Sequence, residues 1–163
     1  MHYIPEVLLN LRKNKRLQKW FGVHKEEMFA KSGGLVTPSI RFNLFYILLH
    51  IYRHFLYEGV GMRQLLDYYF VLKAAQGKHK EEVFADFKQF GMIRFARGVM
   101  WIMQYAFLLE NECMICDADE KEGKYIFDQV MRGGNFGHHD KRLSNSPDGK
   151  IGSVWRVIKH NLH

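Results

Sequence analysis

Apolar residues recur along most of this chain at the three- and four-residue intervals of an α-helix. The densest stretch, Phe42 to Leu56, is apolar on almost every side, which fits a helix surrounded by neighbours. Pro38 and Ser39 suit its start, and the pattern predicts a helix from about Ser39 to Glu58. Gly59 and Gly61 allow a sharp turn into a third helix from about Met62 to Ala75, which "AQGKHK" ends. Residues 80–90 form an amphipathic fourth helix, broken by Gly91. A fifth, rich in Phe, Met, Trp and Tyr, is predicted over 93–109. The sixth lies in "CDADEKEGKYIFDQVM", with Asp117 or Asp119 as cap and acids at its positive end. A last helix is expected from about Gly152. Near the start, Asn14 can cap a short helix carrying Leu17, Trp20 and Phe21, and "KSGGLVTPS" reads as a loop. Strand-like residues occur only at the beginning, in "MHYIPEVLL". The expected class is mainly α: a compact multi-helix domain over 14–163, preceded by a short strand-like remnant over 1–13.

Composition narrows the function classes. With 163 residues, 47% apolar and 15% aromatic, the chain suits one domain with a hydrophobic core and excludes disordered and collagen-like classes. Two cysteines, Cys113 and Cys116, are too few for a disulfide scaffold and point to a reducing cytoplasm. The opening segment contains a proline and a glutamate and does not read as a signal peptide. The most apolar stretch carries Asn43, His50, Arg53 and His54, whereas a membrane span needs about 20 largely uncharged residues; no membrane partner is expected. The net charge of +7 permits nucleotide, nucleic-acid or acidic-surface partners. "RKNKRLQKWF" reads either as a solvated helix face or as a phosphate-binding patch.

A polar stripe interrupts the apolar pattern. His50 and His54 are four residues apart and share a helix face, extended by Asn43 and Tyr46 on one side and Tyr57 or Glu58 on the other. Arg63 and Asp67 repeat the same spacing in the next helix. Three readings fit. Two histidines and a carboxylate can hold zinc or iron, although "HIYRH" lacks the glutamate of the metalloprotease helix. The stripe can line a cleft for an anionic substrate. It can also be a buried polar network in which Asp67 orients Arg63 or a histidine and pins the helix pair.

Other constellations are thinner. "CMIC" has no second Cys-x-x-Cys, although His138 and His139 could complete a zinc site by composition. "RGGNFGHHD" combines glycines that allow close backbone approach with Arg132, Asn135, His138 and Asp140, all candidate ligand contacts, or else a glycine-rich cap with solvated neighbours. Asp117 and Asp119 alternate as magnesium-binding pairs do, but follow the end of a helix instead of lying on a strand. No Walker, Rossmann, nucleophile-elbow or kinase pattern occurs.

Three blocks in order, "NKRLQKWF", "FNLFYILLHIYRHFLYEGVGMRQLLDYYFVL" and "DEKEGKYIFDQVMRGGNFGHHDKR", resemble an uncharacterised bacterial nucleotidyltransferase-like family of Bacteroides-type bacteria, whose members are similar to polymerase-β-type enzymes. The resemblance covers nearly the whole chain. It implies a helical C-terminal portion that follows a palm domain and shapes the acceptor-substrate cleft, with His50, His54, Arg63 and Asp67 near the boundary. The Gly-Ser turn and Asp-x-Asp pair of such a palm match nothing here, so no catalytic residue is assigned and the chain is expected to be inactive alone. Magnesium and a nucleoside triphosphate are expected only with a complete palm. A palm domain or partner protein is expected against an aromatic face made by Tyr3, Ile4, Leu8, Leu9 and Trp20. The alternative function is a non-catalytic basic helical module that binds a protein or nucleic acid.

Overall fold

The computed structural model describes residues 11–29, 31–32 and 35–133. Its helices are α1 (Leu11–Val23), a single turn α2 (Lys25–Met28), α3 (Ile40–Tyr57), α4 (Met62–Ala75), α5 (Lys80–Phe90), α6 (Ile93–Phe107) and α7 (Glu120–Gly133). A 3₁₀ turn, Asn111–Cys113, links the last two. The described residues are thus mainly helical, as the periodicity indicates. Two short strands, β1 (Lys31–Ser32) and β2 (Leu35–Val36), pair antiparallel inside the segment expected to be a loop. Helix α1 includes Leu11, Arg12 and Lys13, ahead of the expected cap at Asn14.

Helix α3 is the centre. Phe42, Phe45, Leu48, Leu49, Tyr52 and Phe55 are all buried on it, and α4 and α5 pack against it. Fully burying one such side chain stabilises a fold by about 1.5–3 kcal/mol, so this helix is a large contributor to the core. Its start is fixed by Ser39, whose Oγ accepts from the Phe42 amide at 3.1 Å and donates to Glu27 Oε2 at 3.0 Å. That second bond ties α2 to α3. At the far end, Gly59 takes φ +96°, a left-handed conformation that favours glycine, whereas Gly61 is extended and caps α4. Helix α4 is then pinned back by Tyr68, whose buried hydroxyl donates to the Leu44 carbonyl at 3.1 Å.

Helices α6 and α7 cross closely because two glycines meet large neighbours. A Cβ on Gly98 would lie 2.6 Å from Ile126 Cδ1, and one on Gly123 would lie 2.5 Å from the Trp101 ring. Asp119 caps α7 by accepting from the Glu122 amide at 3.0 Å, which resolves the choice between Asp117 and Asp119. Glu122 is itself buried, 4% exposed, and receives Arg94 Nε at 2.7 Å. No described helix is long and apolar enough to cross a membrane.

Candidate functional site

Helices α1, α3 and α5 converge on a charged cluster inside the core. In α5, Val83, Phe87 and Phe90 form the apolar stripe, and Asp86 falls within it. Its side chain is 10% exposed. Trp20 Nε1 on α1 donates to Asp86 Oδ1 at 3.0 Å, and Arg41 Nη2 on α3 donates to Oδ2 at 2.7 Å. The Arg41 guanidinium also lies 5.3 Å from the centre of the Trp20 ring, a cation–π distance. Glu82 Oε2 approaches Arg41 Nε at 3.5 Å from the solvent side. Three helices therefore share one buried ion pair.

The electrostatics follow from the packing. Burial pushes the Asp86 carboxyl above its ordinary 3.8, against the opposing pull of Arg41, the Trp20 indole and His24. Among the described residues Arg41 Nη1 is buried without a hydrogen-bond partner, so the cluster holds the guanidinium while both Nη1 N–H groups go unused. His24 stacks on Trp20, rings 4.1 Å apart. Its Nδ1 sits 2.9 Å from the Trp20 carbonyl, which can only accept, so Nδ1 carries the proton and donates.

A cleft of about 450 Å³ opens over this cluster, between α1 and α5. Arg16, Lys19, Trp20, His24, Asp86 and Gln89 line it. The rim is basic because α1 is amphipathic in an unusual way. Leu17, Trp20 and Phe21 face the core, while Arg12, Lys15, Arg16 and Lys19 lie on the exposed side, and no acidic residue occurs between Leu11 and Lys25. Among the described residues no carboxylate pairs with Lys15, Arg16 or Lys19. Lys13 reaches towards Gly91, its Nζ 3.3 Å from where a Cβ there would lie, which sets α1 along α5 up to the α5–α6 turn. Beyond that turn, Lys88, Arg94, Arg97 and Asp119 line a smaller cleft of about 320 Å³. There the cations are largely balanced: Arg94 is bound to Glu122, and Arg97 lies 3.5 Å from Asp117.

The stripe singled out in the sequence is only partly assembled. On α3, Phe42, Tyr46, His50 and His54 form a ladder of rings at four-residue spacing, with Tyr46–His50 at 6.3 Å and His50–His54 at 4.3 Å. His54 Nδ1 meets Glu58 Oε2 at 2.8 Å, and Arg53 reaches the same carboxylate at 3.2 Å. His50, Arg53 and His54 are each half-buried. Arg63 and Asp67 do not join them. Both point to solvent on α4, and Asp67 has no hydrogen bond or ion pair among the described residues. The expected network through Asp67 is therefore corrected: α3 and α4 pack through Leu44, Leu48, Leu65 and Tyr68, which turns the Arg63–Asp67 face outward. Of the two carboxylates able to meet the histidines, Glu58 does so and Asp67 does not.

Arg132 is exposed near the end of α7 and pairs with Asp128 at 2.8 Å. Asn135, His138 and Asp140 lie outside the described residues, as do Tyr3, Ile4, Leu8 and Leu9. Trp20, expected on an exposed aromatic face, is instead buried, because its ring fills the junction of α1, α3 and α5. Burial raises the Cys116 thiol to about 11, so it stays protonated and weakly nucleophilic at neutral pH. Among the described residues, no group of three His, Cys, Asp or Glu side chains is placed to hold a metal ion.

The Asp86 cluster was missed in the sequence although a signal existed: an acid at an apolar-stripe position of a helix, Asp86, implies a buried partner. Comparison with family models, with curated proteins and with solved structures finds no match to this chain.

Proposed function

We propose that this domain binds phosphate groups of a nucleotide or nucleic acid through the exposed side of α1. The observation that carries the reading is the run of Lys15, Arg16 and Lys19 on one helix face, with no acid on that helix and no carboxylate paired to them among the described residues. Elsewhere on the surface Arg97, Arg132 and Lys124 each have a carboxylate nearby, whereas α1 gathers three cations on one face with none among the described residues. Uncompensated cations on a rigid helix repel one another, and a polyanion relieves that repulsion while releasing its own counterions. The buried Arg41–Asp86 pair and the Trp20 bond hold α1 in place, so the cations are presented on an ordered element.

The narrower reading, the helical C-terminal portion of a nucleotidyltransferase-like protein that shapes an acceptor cleft, is supported by the sequence resemblance of the three blocks. On that reading the same face would meet the phosphates of the bound nucleotide or acceptor, and catalysis would belong to a palm domain. The two readings share their first step, which is phosphate recognition by α1.

Fluorescence anisotropy with a labelled single-stranded oligonucleotide tests that step. Three phosphate contacts would give a slope of about −2 in the logarithm of affinity against the logarithm of salt concentration. Affinity that is absent at low salt, or unchanged by salt, rejects the proposal; selective capture of an acidic protein instead of the oligonucleotide transfers the face to a protein partner.

A further inference from the structure

We infer that the cleft between α1 and α5 seats a phosphate monoester that carries a neighbouring hydroxyl group, an inference that rests on the phosphate-binding role proposed for α1. The cleft measures about 450 Å³, within the range of small-molecule sites. Its two ends differ in chemistry. At the rim, Arg16 and Lys19 are three residues apart on one helix face and supply cationic donors. At the floor, Asp86 supplies acceptors. Each of its oxygens already takes one donor, from Trp20 and from Arg41, and a carboxylate has about four acceptor sites, so each oxygen keeps one.

That floor discriminates. Sulfate satisfies the rim and has no proton to offer Asp86, and hydrogen phosphate has only the P–OH of the group the rim already holds. A hydroxyl attached a few atoms from the phosphate donates to Asp86. Arg41 balances the Asp86 charge, so the floor accepts hydrogen bonds without a net repulsion of the phosphate. Gln89 lies one turn beyond Asp86 at the mouth, where its amide can donate to a phosphate oxygen or accept from a second hydroxyl. Two sources carry this chemistry: a free sugar phosphate, and the 5′-phosphorylated end of an RNA strand, whose first ribose keeps its 2′-hydroxyl.

Isothermal titration of the full chain with ribose 5-phosphate, inorganic phosphate and ribose tests the inference. Ribose 5-phosphate is expected to bind at least tenfold more tightly than either of the others. Asp86→Asn should reduce that preference. Because Asp86 is also structural, Gln89→Trp, at an exposed position, serves as the second variant; it fills the mouth and should weaken ribose 5-phosphate binding tenfold or more, with the fold checked by circular dichroism. An oligoribonucleotide with a 5′-phosphate that binds better than the same strand without it assigns the cleft to strand ends; equal binding of the two strands, with ribose 5-phosphate still bound, assigns it to the free ester. Ribose 5-phosphate that binds no better than inorganic phosphate, or as well to Gln89→Trp as to the wild type, overturns the inference. If oligonucleotide binding survives that result, the phosphate-binding role of α1 stands and only the cleft assignment falls; if neither ligand binds, both fall.

Discussion

Trp20 and Asp86, 66 positions apart, are joined by a 3.0 Å hydrogen bond from the indole Nε1 to Oδ1. The bond fastens the basic helix α1 to α5 and gives a buried carboxylate its second donor. Trp20→Phe keeps most of the ring and removes the donor. Leaving one acceptor of a buried charged group unsatisfied costs about 1–3 kcal/mol, so urea denaturation should show a loss of that size. A variant as stable as the wild type would mean that water replaces the indole without cost.

The Arg41–Asp86 pair has a pH signature with an uncommon sign. The folded carboxyl titrates above its ordinary 3.8, so between those two values the native state binds more protons than the unfolded state. Stability from this group is fully present below 3.8 and is lost as pH rises through the raised folded value. The stability difference between wild type and Asp86→Asn, measured by urea unfolding from pH 3.5 to 7, should therefore shrink as pH rises. A difference that grows with pH would show that Arg41 outweighs desolvation. Removing the cation instead, by Arg41→Ala, leaves the buried carboxylate without its ion-pair partner and should cost about 3–5 kcal/mol at pH 7.

Close approach of α6 and α7 depends on Gly98. A side chain there meets Ile126 and Glu122 at less than 3 Å, and Glu122 is fixed by its bond to Arg94. Gly98→Val should overpack this crossing and cost about 1–3 kcal/mol or more, read as a lower midpoint in thermal unfolding. Gly22 has open space around it, so Gly22→Ala provides the comparison and should not destabilise.

Asp67 separates the sequence expectation from the structure. A buried network predicts a substantial loss on Asp67→Ala, but a side chain that is exposed, and unbonded among the described residues, predicts a change within about 0.5 kcal/mol. A loss above 1 kcal/mol in denaturant unfolding would restore Asp67 to a structural role.

Helix existence was legible because the core is built from long periodic segments: α3, α4 and α5 all lie within a residue or two of their predicted bounds. The start of α1 was less so, since Leu11, Arg12 and Lys13 carry no apolar stripe of their own and α1 is held by later residues. The β1–β2 pair escaped notice because two residues per strand show no alternation. In the site, the histidine ladder follows from four-residue spacing and was foreseen as a stripe. Of the two carboxylates open to it, Glu58 or Asp67, the structure places Glu58 there, and local spacing could not choose because it does not reveal how α4 rotates against α3. The Arg41–Asp86 pair spans 45 residues, and no short-range pattern connects its members.

The central claim is that Lys15, Arg16 and Lys19 on α1 recognise phosphate, and the triple variant Lys15→Ala, Arg16→Ala, Lys19→Ala tests it most directly. None of the three side chains is buried, so the variant should fold like the wild type by circular dichroism. Its affinity for a single-stranded oligonucleotide at low salt should fall at least tenfold, and the salt slope should move from about −2 towards zero. A folded triple variant that binds with the wild-type affinity and the wild-type salt slope would contradict the account.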